Sequence, residues 1–151
     1  MTKNYWMFVT TEENFSISSK MGLTLHGFGK KYKKRTDRMN VGDEVIYYLR
    51  DKMRWCAVSE IETTVFEDPR PIWIPRIRGD DFRYRVNMKA KVILDEGQYV
   101  DASLVAPALD YLKRWPLELW HLAFMDDLHL LPQKDFRFIE GEIKRAQSNK
   151  N

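Results

Sequence analysis

The sequence lacks the residues that disulfide frameworks, metal centres and flexible linkers need. Its 151 residues include one cysteine, Cys56, which excludes an intramolecular disulfide and a four-cysteine zinc site. We expect Cys56 to be buried on a strand, because free cysteine behaves as a small hydrophobic side chain. The three histidines, His26, His121 and His129, do not have metal-ligand spacing, so we expect no metal and no cofactor. Seven glycines and six prolines exclude collagen-like and low-complexity chains.

Long apolar runs are also missing. The best candidate, residues 45–49, is far shorter than the roughly 18 residues that a membrane helix needs. Residues 1–6 lack the apolar stretch of a secretory signal. We therefore expect a cytoplasmic, monomeric protein without a membrane partner. A chain of this length can bury roughly 70% of its unfolded surface, so we expect a single domain over 1–151 with its core at about 4–145.

The familiar catalytic and phosphate-binding motifs are absent as well. There is no Gly-X-Ser-X-Gly, no His-Glu-X-X-His, no Walker A sequence and no complete Gly-X-Gly-X-X-Gly. Acidic pairs occur at 12–13, 80–81 and 126–127, but neighbouring side chains diverge on a strand or helix, so solvated pairs are the simpler interpretation. We predict that the protein is not an enzyme. The alternative is a small-molecule sensor, or an enzyme acting on a nucleotide-like ligand.

What the sequence does contain is the pattern of an α+β domain. Its β-branched and aromatic residues predict strands over 4–9, 44–50 and 53–65, with extended character over 23–28. Helical segments are predicted over 11–21, 103–112 and 116–124, and after Pro132. Two further segments are predicted to be irregular loops, 30–38 and 67–75. Because few helices cover the sheet, we predict a small mixed β-barrel with short helices packed around it.

The clearest strand lies over 82–94. Apolar residues alternate with basic or polar ones over eleven positions, which is typical of a strand with one buried and one exposed face. We predict that Tyr84 and Val86 point into the barrel. The basic residues between and beyond them should reach solvent or a binding cleft: Arg83, Arg85 and Lys89.

Positive charge is concentrated in two segments. Residues 30–38 hold six basic residues and one acid, and residues 70–91 hold seven and two, so each segment carries +5. The whole chain carries only +3, so the remainder is acidic. Many aromatic residues lie near these basic ones, and rings stack on bases while lysine and arginine bind phosphates. The combination favours a nucleic acid with single-stranded or flipped-out nucleotides as the partner, with an acidic protein as the alternative.

Short motifs along nearly the whole chain resemble the EVE domain family. In the first half they are Tyr5-Trp6, Glu13-Asn14, Gly27-Phe28-Gly29 before the lysine-rich segment, and Gly42-Asp43 before Val45-Ile46-Tyr47-Tyr48. In the second half they are Phe82-Arg83-Tyr84-Arg85-Val86, Lys113-Arg114-Trp115, and Leu131-Pro132 followed by Asp135-Phe136. The resemblance implies a PUA-like barrel related to YTH domains, which bind a methylated adenine in an aromatic cage. It therefore implies a reader of modified bases in DNA or RNA.

The same resemblance implies which residues form the site. The residues that match family positions around the base-binding pocket are Trp6, Asn14, Phe28, Tyr48, Arg85 and Trp115. Phe28 stands where the family usually has tryptophan, and it would form a wall of the cage. The residues that correspond to the phosphate-binding segment are Lys30, Lys31, Lys33, Lys34 and Arg35.

Overall fold

A mixed β-sheet that curls into a half-barrel forms the centre of the fold. A computed structural model describes residues 2–149, so the two ends of the predicted domain, residue 1 and residues 150–151, lie outside the described residues. The strands are β1 (Tyr5–Thr10), β2 (Leu25–Phe28), β3 (Glu44–Leu49), β4 (Arg54–Ile61), β5 (Phe66–Glu67), β6 (Tyr84–Ile93), β7 (Val100–Asp101) and β8 (Leu128–Leu130). Their order across the sheet is β2-β6-β4-β3-β1-β8, with β5 beside β6 and β7 beside β4. The β1–β3 pair is parallel, and the other pairs are antiparallel.

Short helices surround this sheet. The α-helices are α1 (Glu12–Lys20), α2 (Lys33–Thr36), α3 (Ala102–Val105) and α4 (Gln133–Ser148). Segments of 3-10 helix cover Lys30–Tyr32, Glu96–Gln98, Ala106–Ala108, Asp110–Leu112 and Leu117–Phe124. The predicted α+β class, a barrel-like mixed sheet with short helices, is confirmed. Within residues 2–149, no helix combines the length and the apolar character needed to cross a bilayer.

Two clusters of buried side chains lie on opposite faces of β1 and β3. Inside the curl, the ring centre of Phe8 on β1 lies 4.9 Å from that of Phe28 on β2. The sheet therefore curls so that the edge strand β2 comes close to β1. On the outer face, α4 packs its buried residues Phe136 and Ile139 against the sheet. Alternate residues of a strand point to opposite faces, so both faces of these strands must be covered, and their nearly unbroken apolar sequences reflect this.

The predicted strands β3, β4 and β6 are confirmed with small changes at their ends. Strand β4 is shorter than the predicted 53–65, because Met53 lies in the preceding turn with a φ of 51° and the strand ends at Ile61. Tyr84 and Val86 are buried, as the alternation in β6 predicts. Cys56 is buried on β4, where burial raises the pKa of its thiol.

Residues 103–112 do not form the single helix that the sequence predicts. The Asp101 carboxylate accepts a hydrogen bond from the Ser103 amide and starts the four-residue α3. Pro107 lacks an amide hydrogen, and Leu109 is extended, so the chain continues as two 3-10 turns. The Asp135 carboxylate accepts hydrogen bonds from the backbone amides of Asp110 and Tyr111. These bonds take the place of helical hydrogen bonds at the two residues.

Residues 30–36 are helical and residues 37–38 form a turn, where an irregular loop was predicted. Gly29 is extended, and Lys30–Tyr32 and α2 follow it without a break. Tyr32 is buried, and its hydroxyl accepts a hydrogen bond from the Asp127 amide at 2.8 Å. This anchor holds the basic segment against the sheet, so its charges are presented from an ordered element.

Candidate functional site

Residues 68–82, which we call the covering loop, pack across one end of the half-barrel. Trp73 is only 8% exposed, and its indole N–H donates to the Ser18 hydroxyl of α1 at 2.8 Å. The Asn14 side chain bonds the backbone of Ile74 twice, donating to its carbonyl at 2.9 Å and accepting from its amide at 2.8 Å. The prediction that 67–75 forms a surface loop is therefore wrong for Trp73, because α1 supplies partners that hold this part of the loop against the sheet.

The Gly-Phe-Gly sequence of β2 is shaped by the covering loop. A Cβ atom on Gly27 would lie 2.4 Å from the Phe82 carbonyl oxygen and 2.7 Å from the Trp73 ring. A Cβ atom on Gly29 would lie 2.5 Å from the Asp80 carboxylate. Both glycines therefore permit close approach of the loop. Phe28, predicted to be a cage wall, is fully buried inside the curl, where its ring packs edge-on against Phe8.

Arg85 lies beneath the covering loop. The expectation that Arg85 reaches solvent or a cleft is wrong, because this side chain is 0% exposed. Its guanidinium donates to the backbone carbonyls of Arg70, Asp81 and Phe82 and lies 5.1 Å from the centre of the Trp73 ring. The loop supplies these acceptors on the face of β6 that the alternation assigned to solvent. Arg85 consequently holds the loop in place.

A small cavity lies between the start of α1, strand β2 and the covering loop. Its volume is about 20 Å³, room for about one water molecule, and Asn14, Trp73 and His26 contribute to its lining. His26 is 6% exposed, and its Nδ1 atom has no hydrogen-bond partner among residues 2–149. Burial lowers the pKa of His26 to about 3, so the imidazole is neutral at physiological pH. A neutral imidazole with an unpaired nitrogen can donate a hydrogen bond to a ligand or accept one from it, depending on the tautomer.

An open cleft of about 520 Å³ adjoins this cavity, and Arg76, Phe82 and Asp127 line both. The cleft runs between the covering loop and the basic segment. Its lining includes four basic side chains, Lys30, Lys31, Arg76 and Arg78, and four acidic ones, Asp80, Asp81, Asp126 and Asp127. The volume lies within the range of about 300–1,000 Å³ that is typical of ligand pockets. The cleft can therefore hold a ligand the size of a nucleotide, with charge of both signs around it.

The five predicted phosphate-binding residues fall into two groups. Asp126 accepts a hydrogen bond from Lys31 at 3.0 Å and forms an ion pair with Arg35 at 3.4 Å. The hydrogen bond to Lys31 holds the pKa of Asp126 below its usual value and raises that of Lys31. The other three side chains are exposed and form no ion pair or hydrogen bond within the described part of the chain: Lys30, Lys33 and Lys34. Those three cations are available to an anionic ligand.

The six residues predicted for the base-binding pocket do not form one site, although Trp6 and Trp115 line the same surface. Asn14 lines the cavity, and Arg85 supports the loop beside it. Trp6 is buried, with its indole N–H donating to Asp43 at 2.9 Å, and Tyr48 is buried in the outer cluster. Trp115 is 41% exposed and lines a different surface.

Two residues of the site, His26 and Trp73, are not identified by the sequence. His26 has no metal-ligand spacing to mark it, and the prolines around Trp73 indicate an exposed loop. The two glycines beside Phe28 are the sequence feature that points to this site, since glycine within a strand often marks close approach of another segment. Residues 2–149 contain no group of three or more His, Cys, Asp or Glu side chains that could hold a metal ion.

Comparison with known proteins places this geometry in a family. The model of the EVE domain matches residues 4–127. The UPF0310 protein PH1033 of Pyrococcus horikoshii is 23% identical over 146 residues, which cover 90% of this chain and 96% of that protein. Among solved structures, the Mmi1 YTH domain has a TM-score of 0.70 at 9% identity, covering 98% of this chain and 100% of that one. Protein PSPTO5229 of Pseudomonas syringae has a TM-score of 0.62 at 15% identity, with coverages of 91% and 97%. The two structural likenesses show a shared fold.

Proposed function

This chain belongs to the EVE domain family, and from that premise we propose that it binds nucleic acid by taking one base into the cleft beside the covering loop. The observation that carries the proposal is the buried, neutral imidazole of His26, which lines the cavity beside the cleft and whose Nδ1 has no hydrogen-bond partner among residues 2–149. A polar base edge entering from the cleft would bring a hydrogen-bonding partner to this imidazole. A solved structure of the YTH domain-containing protein Mmi1 is described as an RNA complex, which supports the same class of partner.

The proposed reading of the base combines shape with stacking. A methyl group adds little hydrogen-bonding information, so a reader must detect it by burial, which contributes roughly 0.8 kcal/mol. Stacking on an aromatic side chain adds ~1–3 kcal/mol per base. Phe82 lines both the cavity and the cleft and supplies such a surface, and the buried Trp73 supports it edge-on with ring centres 6.0 Å apart. We therefore propose a modified or flipped-out base as the ligand, bound without a chemical step.

Phosphate binding supplies the remaining affinity in this proposal. Lys30 lines the cleft, and Lys33 and Lys34 follow it in the chain on α2. All three are exposed and form no ion pair or hydrogen bond within residues 2–149. Removing one lysine that binds a phosphate should reduce the slope of log affinity against log salt by roughly 0.7 on a single strand, or 0.9 on a duplex. The change in slope thus counts the phosphates that the substituted lysines bind.

The test is a screen of short DNA and RNA oligonucleotides that carry common base modifications, followed by salt titrations of two double variants. Lys33→Ala with Lys34→Ala should weaken binding to all sequences alike and reduce the salt slope. Lys20→Ala with Lys89→Ala is the matched control, because it removes two exposed lysines that do not line the cleft and have no ion pair among the described residues. The proposal fails if the Lys33/Lys34 variant keeps the wild-type slope.

The balance of charge in the cleft favours one second candidate, a small nucleotide-like molecule without a phosphate backbone. Four carboxylates face the same space as the four basic groups, so an uncharged or zwitterionic ligand meets no strong field there. Such a ligand should bind with an affinity that barely responds to salt, and a free nucleoside should bind as well as an oligonucleotide. Recovering the bound ligand unchanged would separate a sensor from an enzyme.

A further inference from the structure

A second concave surface, which we call the groove, lies beside the edge strand β8. It has a volume of about 410 Å³. Two basic side chains line it, Arg35 and Arg38, together with three aromatic ones, Trp6, Tyr111 and Trp115, and the strand β8 itself. Proteins that bind single strands combine a cationic track for the backbone with aromatic rings on which bases stack. The groove has both components.

The groove adjoins the cleft at Asp126, which lines both surfaces. Lys31, on the cleft side, and Arg35, on the groove side, both reach the Asp126 carboxylate. The exposed Lys33 and Lys34 lie on α2 between these two residues in the chain. A strand whose base enters the cleft could therefore pass along α2 into the groove without leaving cationic side chains.

The aromatic side of the groove is held in place before any ligand arrives. The Tyr111 hydroxyl forms a hydrogen bond with Nδ1 of His129 at 2.9 Å, and the Tyr111 amide donates to Asp135 at 2.7 Å. Trp115 is 41% exposed, and its side chain has no hydrogen-bond or ring partner within residues 2–149. Arg38 is exposed, and its side chain is likewise unpaired among those residues. An exposed ring and a free guanidinium are thus available on the same surface.

We propose that the groove binds a nucleotide that flanks the base held in the cleft, with its base stacked on Trp115 and its phosphate bound by Arg38. This inference rests on the proposed function, since it assigns the path of the same single strand. A second copy of this chain fits the groove less well. Arg35 donates to the Leu128 carbonyl of β8 at 3.1 Å, so part of this edge strand is closed to pairing with a strand of another molecule. A second copy would also bring a net charge of +3 to a surface that is already lined by two arginines.

The experiment is a length series of mixed-sequence single-stranded DNA and RNA, from one nucleotide to about eight, which reaches the site sizes of small single-strand binding domains. Wild type should gain affinity as the strand becomes long enough to reach Trp115. Trp115→Ala should bind the shortest ligands like wild type but lose about 5- to 150-fold on the longer ones. Trp115→Phe should retain most of the gain, and Leu104→Ala, which truncates a side chain that is 81% exposed and outside the groove, should match wild type.

The outcomes separate this inference from the proposed function. If Trp115→Ala matches wild type at every length while wild type still gains affinity with length, the groove is not on the path and only this inference falls. If Trp115→Ala loses equally at every length, the ring acts on the cleft or on the fold, and the flanking site is refuted. If wild type binds no oligonucleotide of any length or modification, the proposed function fails first and this inference with it.

Discussion

Replacing His26 tests both the energetics and the chemistry of the cavity. The imidazole is surrounded by rings, with centres 4.7 Å from Phe8, 4.8 Å from Phe28 and 5.3 Å from Tyr47, so phenylalanine is compatible with its surroundings. An unpaired buried polar atom costs about 1–3 kcal/mol. We therefore expect His26→Phe to leave the free energy of unfolding unchanged near pH 7 or to raise it by about 1 kcal/mol, because the unpaired Nδ1 is removed.

The pH dependence gives the sharper magnitude. The pKa of His26 is about 3 in the folded chain against 6.5 in the unfolded one, so between these values only the unfolded state binds the proton. The stability that His26 contributes is therefore complete above pH 6.5 and is lost as the pH falls towards 3. The slope is about 1.4 kcal/mol per pH unit, which amounts to about 2 kcal/mol between pH 7 and pH 5. His26→Phe abolishes this loss.

Urea unfolding of both chains at the two pH values measures the difference directly. Carboxylates that are stabilised by ion pairs, such as Asp126, also titrate in acid, but they are common to both chains and cancel in the comparison. His121→Phe controls for the removal of one histidine at a half-buried position away from the cavity. An equal fall in stability for wild type and His26→Phe would refute the assignment of a neutral, buried imidazole. If His26 also contacts the base, the stabilised variant should bind oligonucleotides more weakly, by about 0.5–1.5 kcal/mol.

Two further substitutions probe the scaffold of the site. Gly27→Ala should displace the covering loop, because its Cβ would lie 2.4 Å from the Phe82 carbonyl oxygen, and limited proteolysis should detect faster cleavage there. Gly97→Ala, whose Cβ would meet nothing within 4 Å, should leave cleavage as in wild type. Arg137→Ala should lower the melting temperature, with a loss of about 1–2 kcal/mol, because Arg137 bonds the buried Glu44 at 2.8 Å but is itself partly exposed. Burial opposes ionisation of Glu44, yet the hydrogen bond from Arg137 keeps the pKa of Glu44 below its usual value. Wild type should therefore lose this stability as the pH falls below about 4.5, and the Arg137→Ala variant should lose less over the same range.

The sheet could be predicted from local sequence because its strands have strong patterns of their own. The alternation over 82–94 identified β6, and the aromatic and β-branched residues of 44–50 identified β3. The helical character of 30–36 could not be predicted in this way. It depends on the Tyr32 hydroxyl, which accepts a hydrogen bond from the amide of Asp127, a residue far away in the chain. The division of 103–112 into short turns likewise depends on Asp135, on a later helix.

The candidate site was less predictable because it is built from a loop that local sequence describes poorly. The prolines of 67–75 indicate exposure, while Asn14 and Arg85 bind backbone carbonyls of the loop and bury Trp73. A side chain that bonds backbone groups leaves no sequence pattern in the segment it binds. For the same reason the alternation in β6 placed Arg85 in solvent or a cleft, since the period of two identifies a face but not what covers it.

The arrangement of charge shows why counting residues in a segment overstates its field. Five of the seven basic residues in 70–91 form ion pairs with nearby acids: Arg70 and Arg85 with Asp68, Arg76 with Asp127, Arg83 with Asp81, and Lys91 with Glu44. Most of these acids lie outside the segment in the chain but beside the basic residue in space, so the positive charge is offset locally. The unpaired cations near the cleft and groove belong mainly to 30–38, with Arg78 opposite them. A polyanion should therefore follow α2, and the salt slope should be set by that helix and its flanks rather than by the basic face of β6.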